Sequence, residues 1–329
     1  MNNTPINNQI TTTKSCIGHV IPTSMSEANL QDEEQLKALS AYDGSKSHHP
    51  YYQDDRTTIY CGDNVSILKS IAQDSIDLTV TSPPYDNLRD YEGYSWDFER
   101  VATELSRVTK PGGVIVWVVS DATVNGSETG TSFKQALYFK ECGFNLHDTM
   151  IWNKGSFSAV GSLINRYAPV FEYMFILSKG FPKSFNPIKD RANKSFGSKG
   201  YGTIRQKDGT TKPMSTIGNP TIAKYGQRFN IWDLPPEKSN KNRFHPAVFP
   251  EQLVKDHILS WSNEGDIVFD PFLGSGTTIK MAELTGRIGL GCEINQDYEP
   301  IIKKRSMQNI AKLDMFGLDK SISNREEKQ

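Results

Sequence analysis

The sequence predicts an α/β protein built around a mixed, mostly parallel sheet, and three features of the chain carry that expectation. Short β-branched runs alternate with segments of helical period, the order that lays helices over a parallel sheet. VIVWVV, Val114–Val119, is continuously apolar, as a strand buried on both faces is. A strand, a glycine-rich turn, a helix and a second strand follow one another in IVFDPFLGSGTTIKMAELTGRIGLGCEI, residues 267–294.

The elements follow in order. Residues 1–50 are rich in Asn, Thr, Ser, Gln and His, with a short helix-like patch at Glu33–Leu39, and read as a disordered or peripheral leader. TTIYCGD then reads as a strand ending at Asp63, after which Val65, Ile67, Leu68 and Ile71 mark one helix face. IDLTVTSPPY is an apolar strand that Pro83 and Pro84 terminate. Helical period runs through Phe98, Val101, Leu105 and Val108 until Pro111-Gly112-Gly113 stops it. SFKQALYFKECG reads as a helix, and FNLHDTMIWN and VFEYMFILSKG as two strands close enough to form the antiparallel edge of the sheet. Residues 180–243 are dominated by Gly, Ser, Asn, Pro and Lys without sustained period, which marks a functional insertion rather than a connection. FPEQLVKDHILSWS restores a helix, and the tail from about Ala311 is peripheral.

With 329 residues, 36% of them hydrophobic, the chain can bury one substantial core and a smaller appendage. No apolar stretch approaches the roughly 20 residues of a membrane span, and the polar start MNNTPINNQITTTKS lacks the apolar run of a signal peptide, so a cytoplasmic location is expected. The four cysteines, Cys16, Cys61, Cys142 and Cys292, form no CxxC pair; they are expected to be reduced and mostly buried, with no metal site. A formal charge of -1 hides an asymmetry: Lys179 to Arg243 holds 14 basic residues against 4 acidic ones. That segregation fits a polyanion-binding lobe beside an ordinary globular domain.

Two stretches carry chemistry. In the first, a strand ends at Asp270, the chain turns through Phe272, Gly274, Ser275 and Gly276, and a helix opens at Thr277. Glycines there let a ligand approach the backbone, and Glu293, 23 residues after Asp270, sits where a nucleotide-binding unit presents a carboxylate to ribose hydroxyls. Neither GxGxxG nor GK[ST] is present, which points to a nucleoside without a pyrophosphate. In the second, Ser82, Pro83, Pro84 and Tyr85 follow a strand tip. The Ser82 hydroxyl and the Pro83 carbonyl are two fixed acceptors, and Tyr85 offers a planar face. An amino group on a heteroaromatic ring is a poor nucleophile because its lone pair is delocalised. Two acceptors gripping its hydrogens can pyramidalise the nitrogen and aim that lone pair at a methyl sulfonium. Such a base must leave its duplex, and Tyr85 is the stacking platform, with Tyr91, Tyr94 and Trp96 as lids.

TSPPY together with DPFLGSGTT resembles the amino methyltransferase family of restriction-modification systems, and the order of the motifs is similar to its beta class. The resemblance covers about residues 58–305. It implies a circularly permuted S-adenosylmethionine-dependent methyltransferase fold, with a catalytic half at 51–180 and a basic target-recognition region at 181–242, beginning as early as 155. A cofactor half would then occupy 243–310, and a peripheral tail 311–329. Phe272, Gly274 and Gly276 match the family's S-adenosyl-L-methionine motif, and Glu293 its ribose carboxylate. Arg243–Pro246 with Pro250–Leu253 resembles the methionine-side motif, which brings in His245 and Pro246, and Asp63 matches the acidic position near the adenine ring. His245 is assigned to the structural or cofactor shell rather than to a general base.

Double-stranded DNA is the implied substrate, and the family admits a cognate restriction endonuclease and a homodimer. Lys154, Arg191, Lys194, Lys199, Arg205, Lys207, Lys224 and Arg228 are candidate DNA contacts, the last seven interleaved with aromatic residues. Arg89, with Asn87 and Asp90, either orders the loop or meets a phosphate. Ser82 in the first catalytic position is similar to the cytosine-N4 group, whereas adenine-N6 enzymes more often carry Asp there. A side chain of either kind accepts a hydrogen bond, so adenine N6 stays open. Cytosine C5 is excluded, since no cysteine follows a proline. A catalytically silent DNA-binding or regulatory subunit is the alternative from another class, and the intact Ser82–Tyr85 tetrapeptide weighs against it.

Overall fold

The computed structural model describes residues 50–86, 96–156, 165–199, 203–213, 221–237 and 249–304. These all belong to the unit Ala41–Gln329. Among them nine strands form the main sheet: β1 (Tyr52–Gln53), β2 (Thr57–Cys61), β3 (Ile76–Thr81), β4 (Thr109–Val119), β5 (Asn145–Asn153), β6 (Phe171–Ser178), β7 (Ile231–Asp233), β8 (Ile267–Asp270) and β9 (Ile288–Glu293). Their order is β1-β2-β9-β8-β3-β4-β6-β5-β7. The five from β2 to β4 run parallel, while β1 and β6 are antiparallel to their neighbours.

This is the mixed, mostly parallel sheet the sequence predicts, and its permutation is visible in the order. The late strands β8 and β9 insert between the early strands β3 and β2, so the two motif-bearing tips become neighbours. One expectation needs adjusting. β5 and β6 are antiparallel to each other, but they do not close the sheet, because β7 adds parallel to β5 in register Trp232↔Trp152.

Helices cover both faces. On one side lie α1 (Asn64–Ser70), α2 (Phe98–Val108) and α3 (Thr131–Glu141), with Trp117 of β4 packed edge-on against Phe139 of α3 at 5.0 Å. On the other, α4 (Glu251–Trp261) and α5 (Thr277–Leu284) bury Leu253, Val254, Ile258, Met281 and Ala282 against Leu78, Val80, Val114, Val116 and Val268. The parity along β4 explains the division: Ile115 and Trp117 face one layer, Val114, Val116 and Val118 the other. α2 begins where Asp97 accepts the Arg100 N–H, so its apolar stripe Val101, Ala102, Leu105 and Val108 meets the core.

Two local readings change. β2 ends at Cys61, and Asp63 caps α1 instead, accepting from Ser66 N. Pro111-Gly112-Gly113 does not separate helix from strand: β4 starts at Thr109 and passes through it with a register shift opposite β3. Gly113 is required there, because a Cβ would lie 2.7 Å from Thr109 Cγ2 and 3.0 Å from the Asp77 carbonyl. Of the cysteines, Cys292 is buried, while Cys61 and Cys142 are half-buried and all three are free thiols; Cys16 lies outside the described residues, as does the helix-like patch at Glu33–Leu39.

The basic segment contains short antiparallel ribbons, Arg191–Ala192 with Tyr225–Gly226 and Thr203–Arg205 with Thr211–Pro213. It returns to the main sheet through β7, where Trp232 is buried beside Trp152. No described helix is long and apolar enough to cross a membrane.

Candidate active site

The first tip is built by β8, whose four residues are all buried. Beyond Asp270 the chain turns through Gly274 (φ 52°) and Gly276 (φ 82°), both in the left-handed region that glycine tolerates without strain. Gly276 caps α5, and Ser275 and Thr277 are buried beside it. The Asp270 carboxylate organises the turn. Oδ1 accepts from Thr81 Oγ1 at 2.7 Å and Phe272 N at 3.0 Å, and Oδ2 accepts from Thr278 Oγ1 at 2.7 Å. Burial pushes its pKa up, and these donors pull against that rise.

Glu293, at the end of β9, faces the same turn. Oε2 accepts from Gly274 N at 2.7 Å and Oε1 from Asn295 N at 2.9 Å. Burial raises this carboxyl as well, opposed by those backbone donors. A carboxylate oxygen has two lone pairs, so each retains capacity for a ligand hydroxyl. Gly291 lets the turn lie close, since a Cβ there would sit 3.0 Å from Leu273 Cδ2. The next tip is tied in by Gly62 N, which donates to the Glu293 carbonyl at 2.9 Å. Asp63 beside it is exposed, with its carboxylate engaged in the α1 cap.

The second tip is β3. All six of its residues are buried; Ser82 and Tyr85 are half-buried after it, and Pro83 is buried. Prolines have no N–H to give a ladder, so the strand ends here. Ser82 Oγ and the Tyr85 hydroxyl lie 2.6 Å apart. The Tyr85 hydroxyl donates to Glu172 Oε2 at 2.8 Å, and Lys154 Nζ donates to Glu172 Oε1 at 3.0 Å. Asp86 follows at φ 41°, accepting from Ala122 N at 3.1 Å and Thr129 Oγ1 at 2.7 Å. Burial works against its charge, but hydrogen bonds from Thr129, Thr131 and Ala122 outweigh that and hold its pKa down.

The tips are joined directly. β3 and β8 are parallel neighbours, and the Thr81–Asp270 hydrogen bond links the residue before Ser82 to the one that opens the glycine turn. Aromatic packing adds a second tie: Trp96 sits edge-on to Phe272 at 4.8 Å, with Trp117 at 6.3 Å from Phe272. Trp96, expected as a lid, thus packs on the glycine turn. Tyr91, Tyr94, Asn87, Arg89, Asp90, His245 and Pro246 lie outside the described residues. The adjoining Pro250 caps α4, and Glu251 pairs with Lys280 of α5 at 2.6 Å.

The candidate DNA contacts separate into two groups. Lys194, Lys199, Arg205, Lys207 and Lys224 are exposed, the last with its ammonium 5.4 Å from the Tyr225 ring. Arg191 lies over the Phe229 ring at 4.5 Å and donates to the Gln227 carbonyl. Arg228 and Lys154 are committed to carboxylates: Arg228 to Asp190 and, at 2.7 Å, to Asp256, and Lys154 to Glu172. A phosphate would have to compete with these partners. Sequence reading missed Glu172, which nothing local marks, because it acts on Tyr85 of a different element. Thr81 and Thr278 stand inside the two motifs, but their shared partner Asp270 emerges only from the fold.

A strand tip with a glycine turn and a buried carboxylate thus lies beside a tip that carries a serine hydroxyl and a tyrosine. Residues 76–304 match the family N6_N4_Mtase, described as DNA methylase. The orphan methyltransferase M.BamHII of Bacillus amyloliquefaciens is 55% identical over 244 residues, covering 72% of this chain and 91% of that one. The DNA adenine methyltransferase YhdJ of Escherichia coli K12 is 28% identical, covering 75% and 81%. Among solved structures, the PvuII DNA methyltransferase, cytosine-N4-specific, superposes with a TM-score of 0.57 at 22% identity, over 78% of this chain and 88% of that one, a likeness of fold. Matching structures also include complexes with S-adenosyl-L-methionine, the cofactor of this family. The chain therefore belongs to the N6/N4 family of DNA methylases.

Proposed function

We propose that this DNA methylase transfers a methyl group from S-adenosyl-L-methionine to the N4 amino group of a cytosine flipped out of duplex DNA. The observation that carries this reading is the Thr81–Asp270 hydrogen bond, which sets Ser82 and Pro83 beside the glycine turn. The residues present fit the cofactor. Gly274 brings no side chain to the turn, Gly276 takes the left-handed backbone of the bend with Ile302 packed behind it, Glu293 retains lone pairs for ribose hydroxyls, and Pro271–Thr278 contains no Lys or Arg, as suits a nucleoside without phosphate. Asp270, Phe272, Ser275 and Thr277 shape the turn; Asp63, His245 and Pro246 belong to the same proposed shell. When bound, the cofactor supplies an electrophilic methyl on a sulfonium.

The protein's own contribution is positioning. Ser82 Oγ and the Pro83 carbonyl accept the hydrogens of the target amine, so its lone pair turns toward the methyl, and the Tyr85 ring stacks on the extruded base. Pro84 stiffens the turn between them. The exposed Lys194, Lys199, Arg205, Lys207 and Lys224, with the half-buried Arg191 and with Arg89, meet DNA phosphates.

The choice of cytosine rests on Ser82 in the first catalytic position. Adenine N6 is the second reading, favoured by the similarity to an enzyme named as an adenine methyltransferase. The test is to incubate unmethylated duplex DNA with cofactor labelled in its methyl group, digest the DNA and separate the nucleosides. Label in N4-methyldeoxycytidine is the expected result. Label in N6-methyldeoxyadenosine overturns the choice of base and leaves the chemistry standing; no label in DNA overturns both.

A further inference from the structure

The Tyr85 hydroxyl has a single proton, and the structure directs it to Glu172. The phenol donates to Glu172 Oε2 at 2.8 Å, while Ser82 Oγ lies 2.6 Å from the same phenolic oxygen. With its proton committed, the phenolic oxygen can only accept from Ser82, whose own O–H must therefore point inward. A serine that donates inward keeps its lone pairs for whatever stands in front of it.

Glu172 is held to that role from behind. It is 9% exposed on β6, and its other oxygen accepts from Lys154 Nζ at 3.0 Å. A lysine ammonium carries donors only, so it enforces an acceptor at Oε1. The chain Lys154, Glu172, Tyr85, Ser82 therefore has one direction, set at the lysine end.

We infer that Glu172 is a positioning residue for methyl transfer: acting through Tyr85, it orients the Ser82 hydroxyl so that Ser82 offers the target amine an acceptor and not a donor. This rests on the function proposed above. The direction matters because an outward Ser82 O–H would face the amine's own N–H donors or bond its lone pair, and that pair must attack the methyl. The requirement is the same for cytosine N4 and adenine N6.

Glu172→Gln tests it with a nearly isosteric change. Lys154 takes the amide oxygen, the amide NH2 turns toward Tyr85, and the hydroxyl chain reverses. Single-turnover methyl transfer to saturating, unmethylated duplex DNA should fall about 100-fold, the scale of losing one oriented transition-state hydrogen bond, with cofactor affinity unchanged. Adding Lys154→Met frees the amide to rotate its oxygen toward Tyr85, and about ten-fold of the rate should return. A merely structural role for Glu172 predicts no return, since the second substitution removes a further contact. In a Tyr85→Phe background, Glu172→Gln should cost nothing more, and rates taken per cofactor-binding site keep any poorly folded fraction out of both comparisons.

Transfer by Glu172→Gln at the wild-type rate, no recovery with Lys154→Met, or an undiminished effect behind Tyr85→Phe would each overturn the inference while wild-type activity upholds the function. A wild-type chain that methylates no DNA would overturn the function, and the inference with it.

Discussion

Thr81 donates a hydrogen bond of 2.7 Å to the buried carboxylate of Asp270, across the boundary between two strands 189 positions apart in the chain. That contact joins the two strand tips that carry the sequence motifs. Asp270 has its pKa raised by burial, with Thr278, Thr81 and the Phe272 amide opposing the rise. Thr81→Val removes one of these donors and leaves the buried charge less compensated. A loss of about 1–3 kcal/mol in unfolding free energy is expected, together with slower methyl transfer, measured by urea denaturation and single-turnover rates. An unchanged variant would detach the two tips.

Gly274 tests the cradle. It has a φ of 52° and its N–H donates to Glu293, the carboxylate proposed above to take the ribose. Gly274→Trp should abolish binding of S-adenosyl-L-methionine by calorimetry while the far-ultraviolet circular dichroism stays native. Retained affinity would move the nucleoside elsewhere.

Tyr85 tests the second tip separately. Tyr85→Ala removes the stacking face and the hydroxyl chain, so transfer should fall by at least about 100-fold with cofactor affinity preserved. A variant that transfers normally would leave the base without its platform.

His257 makes stability depend on pH. It is fully buried in α4, stacked on Trp232 at 4.4 Å, with Nδ1 lacking a partner among the described residues. Burial, with the charge of Arg228 adding to it, pushes its pKa down to about 3 from 6.5. The folded state therefore keeps the ring neutral while the unfolded chain protonates. The contribution is fully present above pH 6.5 and is lost as pH falls toward 3, at about 1.4 kcal/mol per pH unit. Asp270 and Glu293 have the opposite sign: their raised pKa values give stability below the ordinary carboxylate range that is lost as pH rises through the raised values. From pH 7 to 5 the urea midpoint of the wild type should drop relative to that of His257→Leu, which keeps both carboxyls and lacks only the imidazole. Equal slopes would contradict this.

DNA affinity should weaken steeply with salt if Arg191, Lys194, Lys199, Arg205, Lys207 and Lys224 neutralise phosphates. Fluorescence anisotropy on a labelled duplex between about 50 and 200 mM salt measures the slope, and a flat line would remove the basic segment from the interface.

What the sequence made legible was local. Asp270 to Thr277 and Ser82 to Tyr85 are contiguous, and their residue types dictate a turn and a strand end wherever the fold places them. Glu172 was not legible, because its partner Tyr85 is 87 positions away and a lone acidic residue in FEYMFILS reads as an ordinary exposed position. β7 was hidden for another reason: three residues in a Lys-, Gly- and Asn-rich stretch show no period, and only pairing with β5 makes them a strand. Pro111-Gly112-Gly113 misled because breakers usually separate elements, whereas here a bulge absorbs them inside β4.

The most direct measurement is a crystal structure of the chain with S-adenosyl-L-methionine bound. The ribose hydroxyls should meet the Glu293 carboxylate, with the methyl group directed at the space before Ser82 and Pro83. A cofactor seated at the opposite ends of the strands, or with its methyl turned away from Ser82, would contradict the shared crevice.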